Sequence, residues 1–265
     1  MQRLNDLLYW MEERERIRKA KEKGLPKPWT DDWVFKETYF CNVHREDDKV
    51  TKWIRDNWRM WGSERNHCIA MAVARFVNKP ETLGVLGYPM KGFDLPYCHM
   101  FTERMNQGGW GNAYLVSTGG KSMPKGAYVA NVLSTLDRAS GTLDFSTLQS
   151  TYRQLTLIDG IGSFMAGQII ADLKNTPGHQ LQQAPDWMTW CSHGPGSLRG
   201  MAWLLGIDKC TPTKFYAHME PLLGLLWNED WEIHAQDAQN CLCEFDKFMR
   251  VMKGTGKSKR RYNGS

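Results

Sequence analysis

The sequence predicts a mainly α-helical protein: a compact helical body with a tight glycine turn between two helices and a small inserted β-hairpin. Three observations lead there. Apolar residues recur at three- and four-residue spacing along most of the chain. A Gly160-Ile161-Gly162 turn separates two such stretches. Between residues 84 and 126 that periodicity gives way to dense glycine.

The elements follow in order. Residues 3–23 read as a helix with Leu4, Leu7, Leu8 and Met11 on one side, stopped by Gly24, Pro26 and Pro28. The stretch 29–41 is aromatic and irregular. Asp47 or Asp48 offers an N-cap to a helix whose face holds Val50, Trp53, Ile54, Asn57, Trp58 and Trp61. Lys49, Lys52, Arg55 and Arg59 fall mostly off that face. Gly62 ends it, and Ser63 caps an apolar helix running to about Val77. A hairpin is expected over about 84–126, with a short strand at 113–117 and a turn at Gly119, Gly120, Pro124 and Gly126. Helices resume over 129–137, 146–155, 163–174, 197–205, 212–226 and 235–252. The implied organisation is one helical domain over 1–252 and a basic, flexible tail over 253–265.

Composition bounds the function. A chain of 265 residues with 42% hydrophobic content buries a real core. The net charge is +5, and Lys253, Lys257, Lys259, Arg260 and Arg261 account for all of it. Such a tail suits DNA phosphates through counterion release, or stands as a solvated terminus. Seven cysteines, no secretory signal and no apolar run near the ~20 residues of a membrane span imply a cytoplasmic protein with reduced thiols. Twelve tryptophans are core filler or stacking surfaces.

The sharpest motif is Leu157-Ile158-Asp159-Gly160-Ile161-Gly162-Ser163-Phe164-Met165-Ala166. It resembles the helix-hairpin-helix of DNA repair proteins. A helix opening at Ser163 presents unpaired N–H groups and a positive dipole end, which suit a phosphate. Glycosylases with this element place an Asp shortly after it, and Asp186 sits about there, as a base, a charge stabiliser or a cap of the helix through Trp190. Where some of them carry a Lys, this chain has Phe164, so Schiff-base chemistry is not expected.

Gly194-Pro195-Gly196-Ser197-Leu198-Arg199-Gly200 is a second Gly-rich helix start, with Ser197 as a natural N-cap and Arg199 in the first turn. It suits a phosphate or is a simple capped turn. The polar run Phe40-Cys41-Asn42-Val43-His44-Arg45-Glu46-Asp47-Asp48-Lys49 suits a cation, an amine or an internal ion network. Two stretches imitate a P-loop, at 119–122 and 254–258. Leu115 and Val251 occupy the positions that need glycine, so no ATP site is expected. Cysteine and histidine spacing gives no structural zinc pattern, and neither metal nor cofactor is expected.

Taken in order, the 40–48 run, the 160–166 hairpin, 194–200 and Asn240-Cys241-Leu242-Cys243-Glu244-Phe245-Asp246-Lys247 resemble a phage family that makes hypermodified thymines. These are the amino acid:DNA transferases, or alpha-glutamyl/putrescinyl thymine pyrophosphorylases. A related helical domain accompanies the 5-hydroxymethyluracil DNA kinases. The resemblance implies transfer of an amino acid or polyamine to the 5-methylene of phosphorylated 5-hydroxymethyluracil in DNA, with loss of phosphate or pyrophosphate, in the host cytoplasm. It makes modified DNA and a small donor the partners, with a separate kinase upstream and no membrane. Arg45, Lys121, Arg199 and the helix start at Ser197 would stabilise the leaving phosphate. Asp186, then Asp47 or Asp48, would take the donor's proton. Gly160, Ile161, Gly162, Ser163 and Gly196 would meet DNA backbone. Three rivals stand beside this reading: a DNA glycosylase, a non-catalytic DNA-binding partner of a kinase, and a structural protein with a basic tail.

Overall fold

Side-chain caps open six of the twelve α-helices among the described residues. In the computed structural model, which describes residues 1–60, 62–114, 116–229 and 231–256, Ser63 accepts from the N–H of Asn66 and opens α4 (Glu64–Val77). Asn78 closes it in the left-handed conformation, at φ 48°. Thr147, Thr211 and His234 likewise cap α8 (Leu148–Leu155), α11 (Pro212–Asn228) and α12 (Ala235–Met252). Clustering of the backbone divides the chain into two units: Met1–Asp48 with the described part of His193–Ser265, and Lys49–Ser192.

The first unit holds α1 (Leu4–Glu22), α2 (Trp33–Glu37), a 3₁₀ turn (Arg45–Asp47), α10 (Pro195–Leu205), α11 and α12. Its core gathers Leu7, Trp10, Met11, Phe35, Phe40, Phe215, Phe245 and Phe248, all buried. α10 and α12 lie along each other. A Cβ on Gly200 would overlap the Leu242 carbonyl and one on Gly196 the Cys243 sulfur, so both glycines set how closely these helices approach.

The second unit holds α3 (Lys49–Asn57), α4, α5 (Pro80–Leu86), α6 (Leu95–Asn106), α7 (Lys125–Ser140), α8, α9 (Ser163–Leu173) and a 3₁₀ turn (Gln180–Gln183). α4 is buried along nearly its whole length and packs on α7 and α9. Inside lies an ionic triad. Asp172 accepts from Arg59 at 2.7 Å and from Arg75 at 2.5 and 2.7 Å, and all three are at most 2% exposed. Arg59, expected off the buried face, is drawn in because the fully buried Asp172 needs a counter-charge.

The β-hairpin expected over 84–126 is replaced by helix and turns. The described residues contain no strand, only an isolated bridge between Met90 and Gly92. Asp94 accepts from the N–H of Tyr97, Pro96 stands in the first turn, and Phe101 and Met105, four residues apart, are buried. This is a capped amphipathic helix, α6. Most of the glycines that suggested a hairpin take positive φ at helix ends and turns, among them Gly87 at 70°, Gly92 at 77° and Gly108 at 108°, while Gly84 and Gly126 lie inside α5 and α7. Of the expected strand at 113–117, Leu115 lies outside the described residues. The helix expected after Asp186 is a turn, and Trp187 and Trp190 donate their N–H groups back to Ala184 and Asp186. Trp61 and the tail's Lys257, Lys259, Arg260 and Arg261 also lie outside the described residues. No described helix is long and apolar enough to cross a membrane.

Candidate functional site

α12 organises a polar cluster in the first unit. Its inward face mixes apolar residues with acids: Asp237, Cys241, Glu244, Phe245 and Phe248 are all buried. Buried carboxylates require partners, and residues 39–45 supply them in antiparallel register. Lys247 donates to the Tyr39 carbonyl at 2.9 Å. Glu244 accepts from the Cys41 N–H at 3.1 Å. Asn240 donates to the Asn42 carbonyl at 2.9 Å, and Cys241 points its thiol at that of Val43 at 3.6 Å. Asp237 accepts from the Arg45 N–H at 3.0 Å. From α1, Arg14 donates to the carbonyls of Phe40 and Cys41 at 3.2 and 3.0 Å and to the side chain of Asn42. A segment with no sheet around it thus has its backbone satisfied by side chains.

At the end of this ladder stand two histidines on one carboxylate. Asp237 Oδ2 lies 3.7 Å from His44 Nδ1 and 3.4 Å from His234 Nε2. Asp237 is buried, and although burial opposes it, His44, His234 and the Arg45 N–H hold its carboxyl below the usual range. The His44 imidazole remains 33% exposed at its side chain, beside the Trp231 ring at 6.4 Å. Asp237 raises its proton affinity, with Asp47 and Glu15 adding to the effect.

The residues singled out in the sequence around this cluster are placed as follows. Arg45 is buried, with its guanidinium 3.6 Å from Glu46. Asp47 meets Arg18 at 3.3 Å. Asp48 accepts from the Asn42 N–H at 3.3 Å. Ser197 is fully buried, and its hydroxyl exchanges hydrogen bonds with the Gly194 backbone at 3.0 and 3.1 Å. The helix begins at Pro195, whose fixed φ suits a first turn, so Gly194 is the N-cap and Ser197 lies three residues inside. Arg199 turns to the buried Asp246 at 2.9 Å, where Trp203 and Arg250 also donate at 3.2 Å each. Its side chain is still 53% exposed. The structure therefore brings 40–48, 194–200 and 240–247 together on α12.

In the second unit, α8 and α9 flank the Gly160-Ile161-Gly162 turn. Gly160 takes φ +89°, and a Cβ there would overlap Val132. Nothing lies within 4 Å of a Cβ at Gly162, the N-cap of α9, and no side chain caps that helix. Ile161 is buried, while Leu157 and Phe164 are exposed at 84% and 55%. Lys121 comes to this turn, pairing with Asp159 at 2.7 Å. Asp186 stands at the opposite end of α8. Its two oxygens accept from the N–H groups of Leu148 at 2.8 Å and Gln149 at 3.0 Å.

His234, Asp237 and Arg14 escaped the sequence reading, and His44 and Glu244 entered it only as members of the 40–49 and 240–247 runs, with no role of their own. The available signal was Asp237 and Glu244 on the apolar face of the last helix, which foretells buried carboxylates and partners elsewhere. Among the described residues no group of three or more His, Cys, Asp or Glu is placed to hold a metal, and no disulfide forms among the seven cysteines. Burial, then Glu244, pushes the Cys41 thiol well up, away from nucleophilic character.

Residues 1–258 match the family model described as "5-hmdU DNA kinase, helical domain". No curated protein matches the chain. No solved structure does either.

Proposed function

The chain belongs to the family of the 5-hmdU DNA kinase helical domain, and on that premise we propose that it works on 5-hydroxymethyluracil in DNA as an amino acid:DNA transferase. In this reading it replaces the phosphate or pyrophosphate on the 5-methylene of a phosphorylated base with an amino acid or polyamine. One observation carries it. Three of the four segments that resemble such transferases meet on α12, where one buried carboxylate, Asp237, faces a partly open imidazole and another, Asp246, pairs with a half-exposed arginine.

The parts suit the chemistry. The 5-methylene is reached once the base leaves the stack. The uncapped N-terminus of α9, with Lys121 alongside, suits a backbone phosphate. Arg199 suits the charge that develops on the leaving phosphate. Asp186 spends both oxygens on α8, which favours its role as a cap over that of a base.

A second reading is favoured by the family description itself, which names a domain of a kinase: a non-catalytic module that holds DNA for phosphorylation. One experiment separates them. The protein is incubated with DNA containing phosphorylated 5-hydroxymethyluracil and a mixture of amino acids and polyamines, and the digested nucleosides are weighed. A nucleoside heavier than thymidine by one donor supports transfer. Salt-dependent DNA binding with an unchanged nucleoside profile supports the module, and release of the modified base would make the protein a glycosylase.

A further inference from the structure

We propose that His44, held by Asp237, is the catalytic group that takes the proton from an attacking amine donor; this rests on the transferase reading. The geometry is that of a buried carboxylate behind an accessible imidazole. Asp237 is fixed by the Arg45 N–H at 3.0 Å and turns its other oxygen to His44 Nδ1. With Nδ1 facing the carboxylate, the ring presents Nε2 to whatever enters. The segment carrying His44 cannot drift, because residues 39–45 are tied to α12 on one side and to Arg14 on the other. The ladder is held by the backbone of residues 39–45 and by the side chains of Asn42, Arg14, Asp237, Asn240, Cys241, Glu244 and Lys247. None of these bonds uses the partly exposed His44 ring, whose contact is with the Asp237 carboxylate.

The surroundings select the donor's charge. His44 is faced by Asp237 and His234 from the start of α12, by Glu15 and Arg18 from α1, and by Asp47 from its own turn. Arg18 is shared between Glu15 at 2.5 Å and Asp47 at 3.3 Å. Asp237, Glu15 and Asp47 outnumber the cations that pair with them from α1, Arg18 and Lys19, which suits an ammonium-bearing donor, and Trp231 offers an aromatic wall to its carbon chain. An amine attacks only once it has lost its ammonium proton. Its nitrogen lone pair then forms the C–N bond to the 5-methylene carbon. The C–O bond breaks, and the phosphate leaves with that electron pair. The surplus proton on nitrogen passes to Nε2 of His44 and on to solvent. Asp237 raises the proton affinity of His44 and so strengthens the imidazole as a proton acceptor.

The test uses the full chain, phosphorylated 5-hydroxymethyluracil DNA and whichever donor the wild type incorporates. His44→Gln and His44→Ala are compared with wild type after circular dichroism shows that they fold. The expected result is a fall in transfer rate of about 100-fold or more, loss of the acidic limb of the pH–rate profile, and partial recovery of His44→Ala by added imidazole. A merely structural histidine would not show the last two. Transfer by His44→Gln within about threefold of wild type, with the same pH profile, overturns the assignment and leaves the transferase reading intact. A wild type that transfers no donor overturns the reading and this assignment together.

Discussion

Gly200 of α10 lies against the carbonyl of Leu242 in α12, leaving no room for a side chain. The obstacle is backbone, so a substitution cannot be absorbed by a rotamer change. Gly200→Ala is expected to lower stability by about 1–3 kcal/mol or more through overpacking, read as a reduced denaturant midpoint. Gly224→Ala is the control. Gly224 lies within α11 with nothing within 4 Å of its Cβ position, so that change is expected to stabilise by about 0.5–1 kcal/mol.

Asp172→Asn leaves Arg59 and Arg75 buried with no carboxylate between them. A loss of about 3–5 kcal/mol is expected, measured by thermal unfolding. A loss below 1 kcal/mol would mean that water reaches the triad.

Asp186 separates capping from catalysis. Asp186→Ala removes the acceptor for two N–H groups of α8 and is expected to cost about 1 kcal/mol. Asp186→Asn keeps one acceptor oxygen and is expected to leave transfer at the wild-type rate. A collapse of transfer in a stably folded Asp186→Asn protein would restore this residue as the base.

His179 makes stability depend on pH. It is buried, and desolvation, with His67 nearby, lowers its pKa from 6.5 to about 4. The unfolded chain therefore binds the proton first as pH falls. Stability is lost progressively from pH 6.5 down to about 4, by about 3 kcal/mol in total, and no further below that. His44 works in the opposite sense, since its raised pKa favours the folded state at low pH. The difference between wild type and His179→Gln across this window isolates the His179 contribution.

Lys121 and Asp159 oppose each other at the α9 turn. If DNA phosphate docks there, Lys121→Gln weakens binding and lowers the salt slope by about 1. Asp159→Asn, by releasing Lys121 and removing a negative charge, tightens binding. Equal affinities for all three proteins in a salt titration would move the DNA surface elsewhere.

By itself the sequence determined the helical class and most helix positions. Caps and breakers act within a few residues: Ser63 and Asn78 bound α4, and the last helix runs over 235–252 as its apolar spacing says. The hairpin reading failed locally too, because glycines at helix ends resemble glycines in hairpins, and the Asp94–Pro96 start of α6 was hidden among them. The resemblance grouped 40–48, 160–166, 194–200 and 240–247, and the structure brings the first and the last two onto α12 while 160–166 lies in the second unit. Only the tertiary structure decided that. A carboxylate's role depends on what it meets across the chain: Asp186 meets the N–H groups of α8, Arg199 meets Asp246, and Asp237 meets His44 from 193 residues away. Local spacing carries no information about such partners, because burial and charge compensation are settled only when distant segments pack.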